Sequence, residues 1–334
     1  TAALRVPEGW QCQRRSHVEF AVTAPKGGVG KTAHLMASAR VEAVSGLALP
    51  LQRTADLRIV PALEANLRLT DISGDGRRFR FFVELINHSS TASDVSIQPE
   101  LPPGWRFLPD PAGTGERRLS PRSAEKRTLT VVASQSAQPG QYPIGVRVVS
   151  AKLDSPLELR QSLFFVPGSR NRLVNPGFES GRTGWAKNER DFTIDRSQSH
   201  SGQNSLKLSN GSASLRCGAS QTIVLNQKTP RPVFVRGFAK AEEVSGVRDR
   251  GFSIYVDIYH TDGTPSYGHA ITFQTGTTDW QYGELLIHPK KPIRNVNVYL
   301  LLRGHRGTVW FDDILAAELP ARDGGRAGSN AKGQ

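Results

Sequence analysis

The chain of 334 residues carries 43 Lys and Arg against 30 Asp and Glu, a net charge of +13, and two cysteines, Cys12 and Cys217. That excludes a disulfide-stapled scaffold and a cysteine-rich metal site; no run of 18 apolar residues encodes a membrane span, and the length suits two or three domains. The positive excess is spread over residues 1–61, 62–167, 168–320 and 321–334 without a block of five like charges. A nucleic-acid face needs clustered cations, so no nucleic acid is expected as a partner. The 32 Gly and 21 Pro speak against a helix-rich fold. No N-terminal stretch has the pattern of a signal peptide. Thr1 as first residue and Met36 as the single methionine read as a mature or truncated piece of a longer protein.

Strand signals begin early. Residues 18–22 (VEFAV), 79–85 (FRFFVEL) and 129–131 alternate apolar and polar, with Pro, Gly, Asn and Asp between them. This is the pattern of a β-sandwich. An internal repeat accompanies it. Val6-Pro7-Glu8-Gly9-Trp10 matches Leu101-Pro102-Pro103-Gly104-Trp105, and each is followed by paired arginines, a strand, a Gly-containing turn and two more strands. Residues 1–61 thus read as the back half of the domain that residues 62–167 supply whole. Trp10 and Trp105 read as packing residues.

The stretch from Lys26 to Thr32 (KGGVGKT) fits a phosphate-binding loop, whose backbone N–H groups cradle phosphates and whose lysine reaches the outer ones. Pro25 stands where the strict form needs Gly. No later apolar strand ends in the Asp that would hold Mg²⁺, and the matching stretch of the second copy, 139–143, reads as a turn entering a strand. No nucleotide is therefore expected. An ATPase on this loop is the remote alternative, and it requires a helix after Thr32.

The second copy, through Leu85-Ile86-Asn87-His88-Ser89, Leu101-Pro102-Pro103-Gly104-Trp105 and Pro139-Gly140-Gln141-Tyr142, resembles the immunoglobulin-like accessory domains found beside bacterial glycoside hydrolases. The resemblance implies a β-sandwich spacer.

After a linker at 167–171 the pattern changes. Leu173-Val174-Asn175-Pro176-Gly177-Phe178-Glu179, Gly184-Trp185, 199–208 (SHSGQNSLKL), 237–242 (GFAKAE), 278–281 (TDWQ) and 307–314 (GTVWFDDI) follow in order. In order and spacing they resemble the carbohydrate-binding modules of families 4, 9 and 22, galactose-binding-like jelly rolls. Phe238 departs from the Trp usual in that family, and 247–250 (VRDR) is a basic insert. The whole chain therefore reads as all-β: tandem immunoglobulin-like sandwiches, at 1–61 (truncated) and 62–167, then a jelly-roll sandwich at 168–320 and a flexible tail at 321–334.

Residue periodicity supports the same architecture. Phe252, Ile254, Val256 and Ile258 form one strand face with Tyr255, Asp257 and Tyr259 opposite. Val296, Val298, Leu300 and Leu302 form another, with Asn297, Tyr299 and Arg303 opposite. Ile271 and Phe273 alternate with Thr272 and Gln274. Apolar faces meet in the core of a sandwich. The outward mixture of rings and planar polar groups suits a sugar, which offers apolar C–H faces and hydroxyls together. The candidate binding residues are Tyr255, Asp257, Tyr259, Gln274, Asn297, Tyr299 and Arg303, with Trp185 as a loop aromatic. The bland alternative also stands: Tyr is a common strand residue, and Trp185 can plug the sandwich edge. Trp280 and Trp310 read as packing.

The family resemblance further implies a structural Ca²⁺ held by Glu179 and Asp312 with carbonyls of the 201–202 loop, for which oxygen ligands are suited; a solvated carboxylate pair is the alternative. No catalytic constellation is present: the eight His form no HExxH, and no GxSxG occurs. The expected function is a non-catalytic polysaccharide- or oligosaccharide-binding region, carried by a larger secreted or cell-surface bacterial protein whose catalytic domain, of glycoside-hydrolase type, lies in the same parent polypeptide. The alternative is a structural or adhesion spacer array with protein partners, which predicts an outward face without exposed aromatics.

Overall fold

A computed structural model describes residues 2–25, 32–42, 48–108 and 116–320. The fold is all-β: tandem immunoglobulin-like sandwiches followed by a jelly-roll sandwich. Among the described residues, no helix is long and apolar enough to cross a membrane.

The N-terminal region contains β1 (Ala2–Arg5), β2 (Gln11–Arg14), β3 (Phe20–Thr23), β4 (Thr32–Glu42) and β5 (Ala48–Arg58). They pair as β1-β4-β5 and β2-β3. The middle region contains β6 (Leu63–Ile72), β7 (Arg78–Asn87), β8 (Ser93–Glu100), β9 (Arg106–Leu108), β10 (Arg117–Leu119), β11 (Ser123–Val132), β12 (Gly140–Val149) and β13 (Leu157–Phe165). Its two sheets run β6-β7-β11-β9 and β10-β8-β12-β13.

The pairing repeats between the two regions. β1 beside β4 and β5 matches β8 beside β12 and β13, and β2 with β3 matches β9 with β11. The turn after β1 also matches the turn after β8. Gly9 and Gly104 both take positive φ, +83° and +76°, a conformation glycine adopts without strain. The N–H groups of Trp10 and Trp105 close the two turns onto Pro7 and Pro102 carbonyls at 3.2 and 3.1 Å. Trp105 is buried against Phe79, Tyr142 and Phe165 in the middle core. Residues 26–31 of the phosphate-loop motif lie outside the described residues, but Thr32 opens a strand and not the helix that an ATPase needs.

The C-terminal sandwich contains β14 (Ala186–Lys187), β15 (Thr193–Asp195), β16 (Ser205–Asn210), β17 (Arg216–Val224), β18 (Val233–Val244), β19 (Phe252–His260), β20 (Pro265–Thr272), β21 (Gly276–Ile287), β22 (Ile293–Arg303) and β23 (Gly307–Glu318). One sheet has the order β14-β17-β22-β19-β20 and the other β15-β16-β23-β18-β21. The alternation read along β19 and β22 is realised: Phe252, Ile254, Val256, Ile258, Val296, Val298, Leu300 and Leu302 are all buried in one core. Alternation on β18 sends Val233, Val235, Ala239 and Ala241 to that core and Phe234, Arg236 and Phe238 to the outside of the second sheet.

That outside is closed by the middle region. Phe238 is buried in the middle region's apolar cluster, with Trp280 and Tyr282 packed against it. Phe164 stacks on Phe234 with ring centres 4.8 Å apart. His200 lies face to face with Phe238 at 3.6 Å. Its Nδ1–H donates to Asp313 at 2.7 Å and its Nε2–H to Asp71 at 3.1 Å. Burial opposes charge on the ring, yet the hydrogen bonds to Asp313 and then Asp71 prevail, raising the His200 pKa to about 9. The bond from His200 in turn holds the Asp71 carboxyl below its ordinary range against partial burial. Asp71 sits on β6 and Asp313 on β23, so one imidazolium ties the two sandwiches together.

Candidate functional site

With one outer face covered, the face of the β14-β17-β22-β19-β20 sheet is the open one. Register determines which side chains share it, because residues directly opposite in an antiparallel pair project to the same side. Tyr255 lies opposite Tyr299, Asp257 opposite Asn297, and Tyr259 opposite Asn295. On the other flank, Thr222 is opposite Asn297 and Ser220 opposite Tyr299. The rings of Tyr255 and Tyr299 meet edge to face at 6.2 Å. Thr222 donates its hydroxyl to Asn297 Oδ1 at 2.9 Å, and Asn297 Nδ2 donates to the Tyr299 hydroxyl at 3.3 Å.

The structure adds Tyr267, which the sequence reading did not select. Tyr267 is 57% exposed and meets Tyr259 edge to face at 5.8 Å. Its hydroxyl is bonded to that of Tyr259, which raises its pKa. The cause is a bulge in the pairing of β19 with β20 between Val256 and Ile258, where Gly268 takes φ +87°. A bulge re-aims side chains, and here it brings Tyr267 to the same face as Tyr259. Two tyrosine pairs thus flank Asp257 and Asn297. Tyr255 and Tyr259 are four residues apart, about 13 Å along an extended strand, which is room for more than one sugar ring.

Asp257 is the carboxylate at the centre. Burial raises its pKa, countered by the Gly268 N–H, by His269 and by Arg303. Burial likewise raises Tyr299 and lowers His269, so at neutral pH His269 is mainly uncharged. The centre of the face thus carries the Asp257 carboxylate among hydrogen-bonding side chains.

The remaining selected residues divide. Arg303 shares the face but sits at its end, where Glu189 takes it at 3.3 Å and Arg216 at 3.5 Å. Gln274 lies beyond the last residue of β20. Its main chain is bracketed by the Gln281 side chain, whose Oε1 accepts from Gln274 N at 2.8 Å and whose Nε2 donates to Gln274 O at 3.1 Å. The structure does not bring it to the tyrosines. Trp185 requires a correction as a loop aromatic for ligand: it is 5% exposed, packs at 5.4 Å on Phe178 and donates its indole N–H to the Asn175 carbonyl at 3.1 Å. The ring is worth more to the core than to the loop, and its one polar atom is already satisfied. Trp310 is also buried, with its N–H on Asp195 at 2.8 Å.

Glu179 and Asp312 grip the same loop. Glu179 Oε1 accepts the N–H groups of Gln203 and Asn204 at 2.9 and 3.1 Å. Asp312 Oδ2 accepts those of His200 and Ser201 at 2.8 and 3.2 Å. A Cβ on Gly202 would lie 2.2 Å from Glu179 Oε1, so only glycine lets the loop close on that carboxylate. Asp312 is fully buried, and burial, then the neighbouring Asp313, push its pKa up to about 7. Main-chain N–H groups thus reach both Asp312 oxygens, with that of Asp313 on Oδ1 at 2.7 Å. Among the described residues no group of three or more His, Cys, Asp or Glu side chains converges as a metal site, so the implied Ca²⁺ would draw further ligands from the backbone.

The model of the family described as a carbohydrate binding domain matches residues 170–305. The C-terminal region therefore resembles that family, as the order of its motifs implies. Among curated proteins the chain is similar to the tRNA nuclease WapA of Bacillus subtilis (strain 168), 31% identical over 158 residues, which are 46% of this chain and 7% of that protein. The tRNA3(Ser)-specific nuclease WapA of Bacillus spizizenii is 30% identical over 158 residues, with the same coverage. The chain thus spans 7% of the length of these relatives. Among solved structures, TmCBM61 in complex with beta-1,4-galactotriose is 19% identical, with TM-score 0.35, over 45% of this chain and 99% of that one. The C-terminal family 22 carbohydrate binding module of Clostridium thermocellum Xyn10B is 15% identical, with TM-score 0.37, over 46% and 96%.

Proposed function

We propose that residues 168–320 form a non-catalytic module that binds a polysaccharide or oligosaccharide on the open sheet face, through Tyr255, Asp257, Tyr259, Asn297 and Tyr299. The observation that carries this reading is the placement of two edge-to-face tyrosine pairs around a hydrogen-bonding centre, on the one broad face that the middle region leaves uncovered. Residues 62–167, and before them 1–61, act as spacer sandwiches, with 321–334 as a tail. The parent is a larger secreted or cell-surface bacterial polypeptide whose catalytic domain lies outside this chain, and the module raises that domain's local substrate concentration. A match confined to 7% of relatives named as tRNA nucleases is in keeping with a segment that binds while chemistry is carried elsewhere. Glu179 and Asp312, which grip the 200–204 loop, would be the side chains that hold a structural Ca²⁺ there.

A structural spacer with protein partners is the competing reading, and the exposed ring of Tyr267 beside the half-buried Tyr259 counts against it. The test is calorimetric titration of the chain with a panel of polysaccharides. Tyr255→Ala should weaken binding about tenfold or more while leaving the melting temperature within a few degrees. A chain that binds no polysaccharide, or binds equally well without Tyr255, overturns the proposal.

A further inference from the structure

The open face has a cationic rim that its own residues do not neutralise. The basic insert at 247–250 is held at three points, Arg248, Asp249 and the Arg250 main chain. Asp249 Oδ1 accepts from Gly251 N at 2.6 Å and is bound by His305 Nε2 at 2.9 Å. The His305 side chain is 3% exposed. Arg248 Nε donates to the Thr272 hydroxyl at 2.8 Å, and the Arg250 carbonyl accepts from the Ser253 hydroxyl at 2.7 Å. What this scaffold presents is the Arg250 side chain.

Its guanidinium lies over Gly268. A Cβ there would sit 3.1 Å from Arg250 Nη1 and 3.9 Å from the Tyr255 hydroxyl, so the guanidinium and that hydroxyl approach the same bare stretch of backbone. Two further arginines of the face, Arg303 and Arg216, share Glu189, and Arg248 is bonded to the Thr272 hydroxyl. Arg250 thus has its main chain held by Ser253 and its guanidinium beside the aromatic platform, in no ion pair among the described residues.

We propose that the face takes a glycan bearing an acidic substituent, and that Arg250 grips that substituent when a sugar ring lies on Tyr255. This rests on the reading of the face as a sugar site and adds the ligand's chemical class. Guanidinium presents paired N–H donors that match the two oxygens of a carboxylate or phosphate. A uronic-acid polymer and a sugar- or glycerol-phosphate polymer offer the same anionic chemistry and are separated by the choice of probe.

The full chain is titrated with polygalacturonate, glucuronoxylan and poly(glycerol phosphate), each in low and physiological salt. Fully methyl-esterified polygalacturonate, unsubstituted xylan and beta-1,4-galactan serve as uncharged probes. At least one acidic polymer should bind about tenfold or more tightly than the uncharged probes, and Arg250→Gln should remove that preference while leaving uncharged binding unchanged. Preference for the uronates marks a carboxylate, and preference for the glycerol phosphate marks a phosphate. Because the chain is cationic overall, Arg231→Gln, which removes the same charge just before β18 in the opposite sheet, is the control and should change nothing. Equal losses in the two variants reduce the effect to net charge and overturn the inference. Acidic and uncharged polymers binding alike overturns it while the sugar face stands. Binding to none of the probes overturns both.

Discussion

The two outer faces of the C-terminal sandwich are written in the same sequence grammar and meet opposite fates. Each alternates core aliphatics with outward aromatics and charged groups: Phe234, Arg236 and Phe238 on β18, Tyr255, Asp257 and Tyr259 on β19. On the closed face Phe234 and Phe238 are fully buried, Arg236 is buried beside them without an ion pair among the described residues, and His200 lies between Asp71 and Asp313 across the junction. On the open face the rings are half-exposed tyrosines, whose hydroxyls tolerate water, and the hydrogen bonds run among neighbours on the same sheet. The difference lies in the outward ring. Phe without a polar atom gains only by exclusion from water, whereas Tyr can lie against an apolar surface and stay hydrated. Phe238 is where this chain departs from the Trp of the resembling family, and it is the residue that joins the middle region's core.

The comparison breaks most visibly if the closed face is opened. Phe238→Ala removes a fully buried ring shared by two sandwiches and should cost about 3–5 kcal/mol of stability, read by denaturant unfolding. Calorimetry below the unfolding midpoint should show polysaccharide binding unchanged. A loss of affinity without loss of stability would mean that the two faces are not independent.

Metal removal is the next largest effect. If Ca²⁺ links Glu179 and Asp312, which hold the loop carrying His200, excess chelator should lower the melting temperature. At an ion concentration 100 times its dissociation constant the linkage is worth about 2.7 kcal/mol. Differential scanning calorimetry with EDTA and with Ca²⁺ restored is the measurement. An unchanged transition removes the ion from this site and leaves the carboxylates as loop clamps. Binding on the open face should persist in either case, since none of its residues touches that loop.

How much of this was legible in the sequence follows from what kind of information each feature needs. The core faces of β19 and β22 and the membership of Tyr255, Asp257, Tyr259, Asn297 and Tyr299 on the opposite side follow from period-two alternation alone. The repeated Pro-x-Gly-Trp turn is equally local, because Gly9 and Gly104 supply the positive φ that the turn requires. Trp185 misled because a loop aromatic next to Gly can turn outward or inward, and its choice depends on Phe178 and the Asn175 carbonyl. Gln274 kept the alternation of β20 after the strand itself had ended. Tyr267 escaped notice for the opposite reason: the bulge at Gly268 breaks the alternation, and only the Gly268-His269 step inside an otherwise regular strand hints at it. Coverage of the second sheet depends on residue 71 meeting residue 200, a contact between distant segments that no periodicity encodes.

Tyr267 offers the finest test of the comparison, because it is an open-face residue with almost no packing role. Its ring is more than half exposed and leans on Tyr259 alone among the aromatics. Tyr267→Ala should therefore leave stability within about 0.5 kcal/mol, the usual range for a surface change. A ring stacked on a sugar is comparable in worth to an aromatic pair, about 0.5–1.5 kcal/mol, so affinity should fall about two- to twelvefold. Tyr267→Phe separates the two contributions of the ring. It retains the apolar surface and gives up only the hydroxyl bonded to Tyr259, so it should recover most of the affinity. The same titration carried out with short and long oligosaccharides locates the effect. Tyr267 stands beside Tyr259, about 13 Å along the strand from Tyr255, so a ligand too short to span that distance should bind the wild type and Tyr267→Ala alike. Equal losses for short and long ligands would place the sugar at the Tyr259 end and shift the centre of the site away from Tyr255.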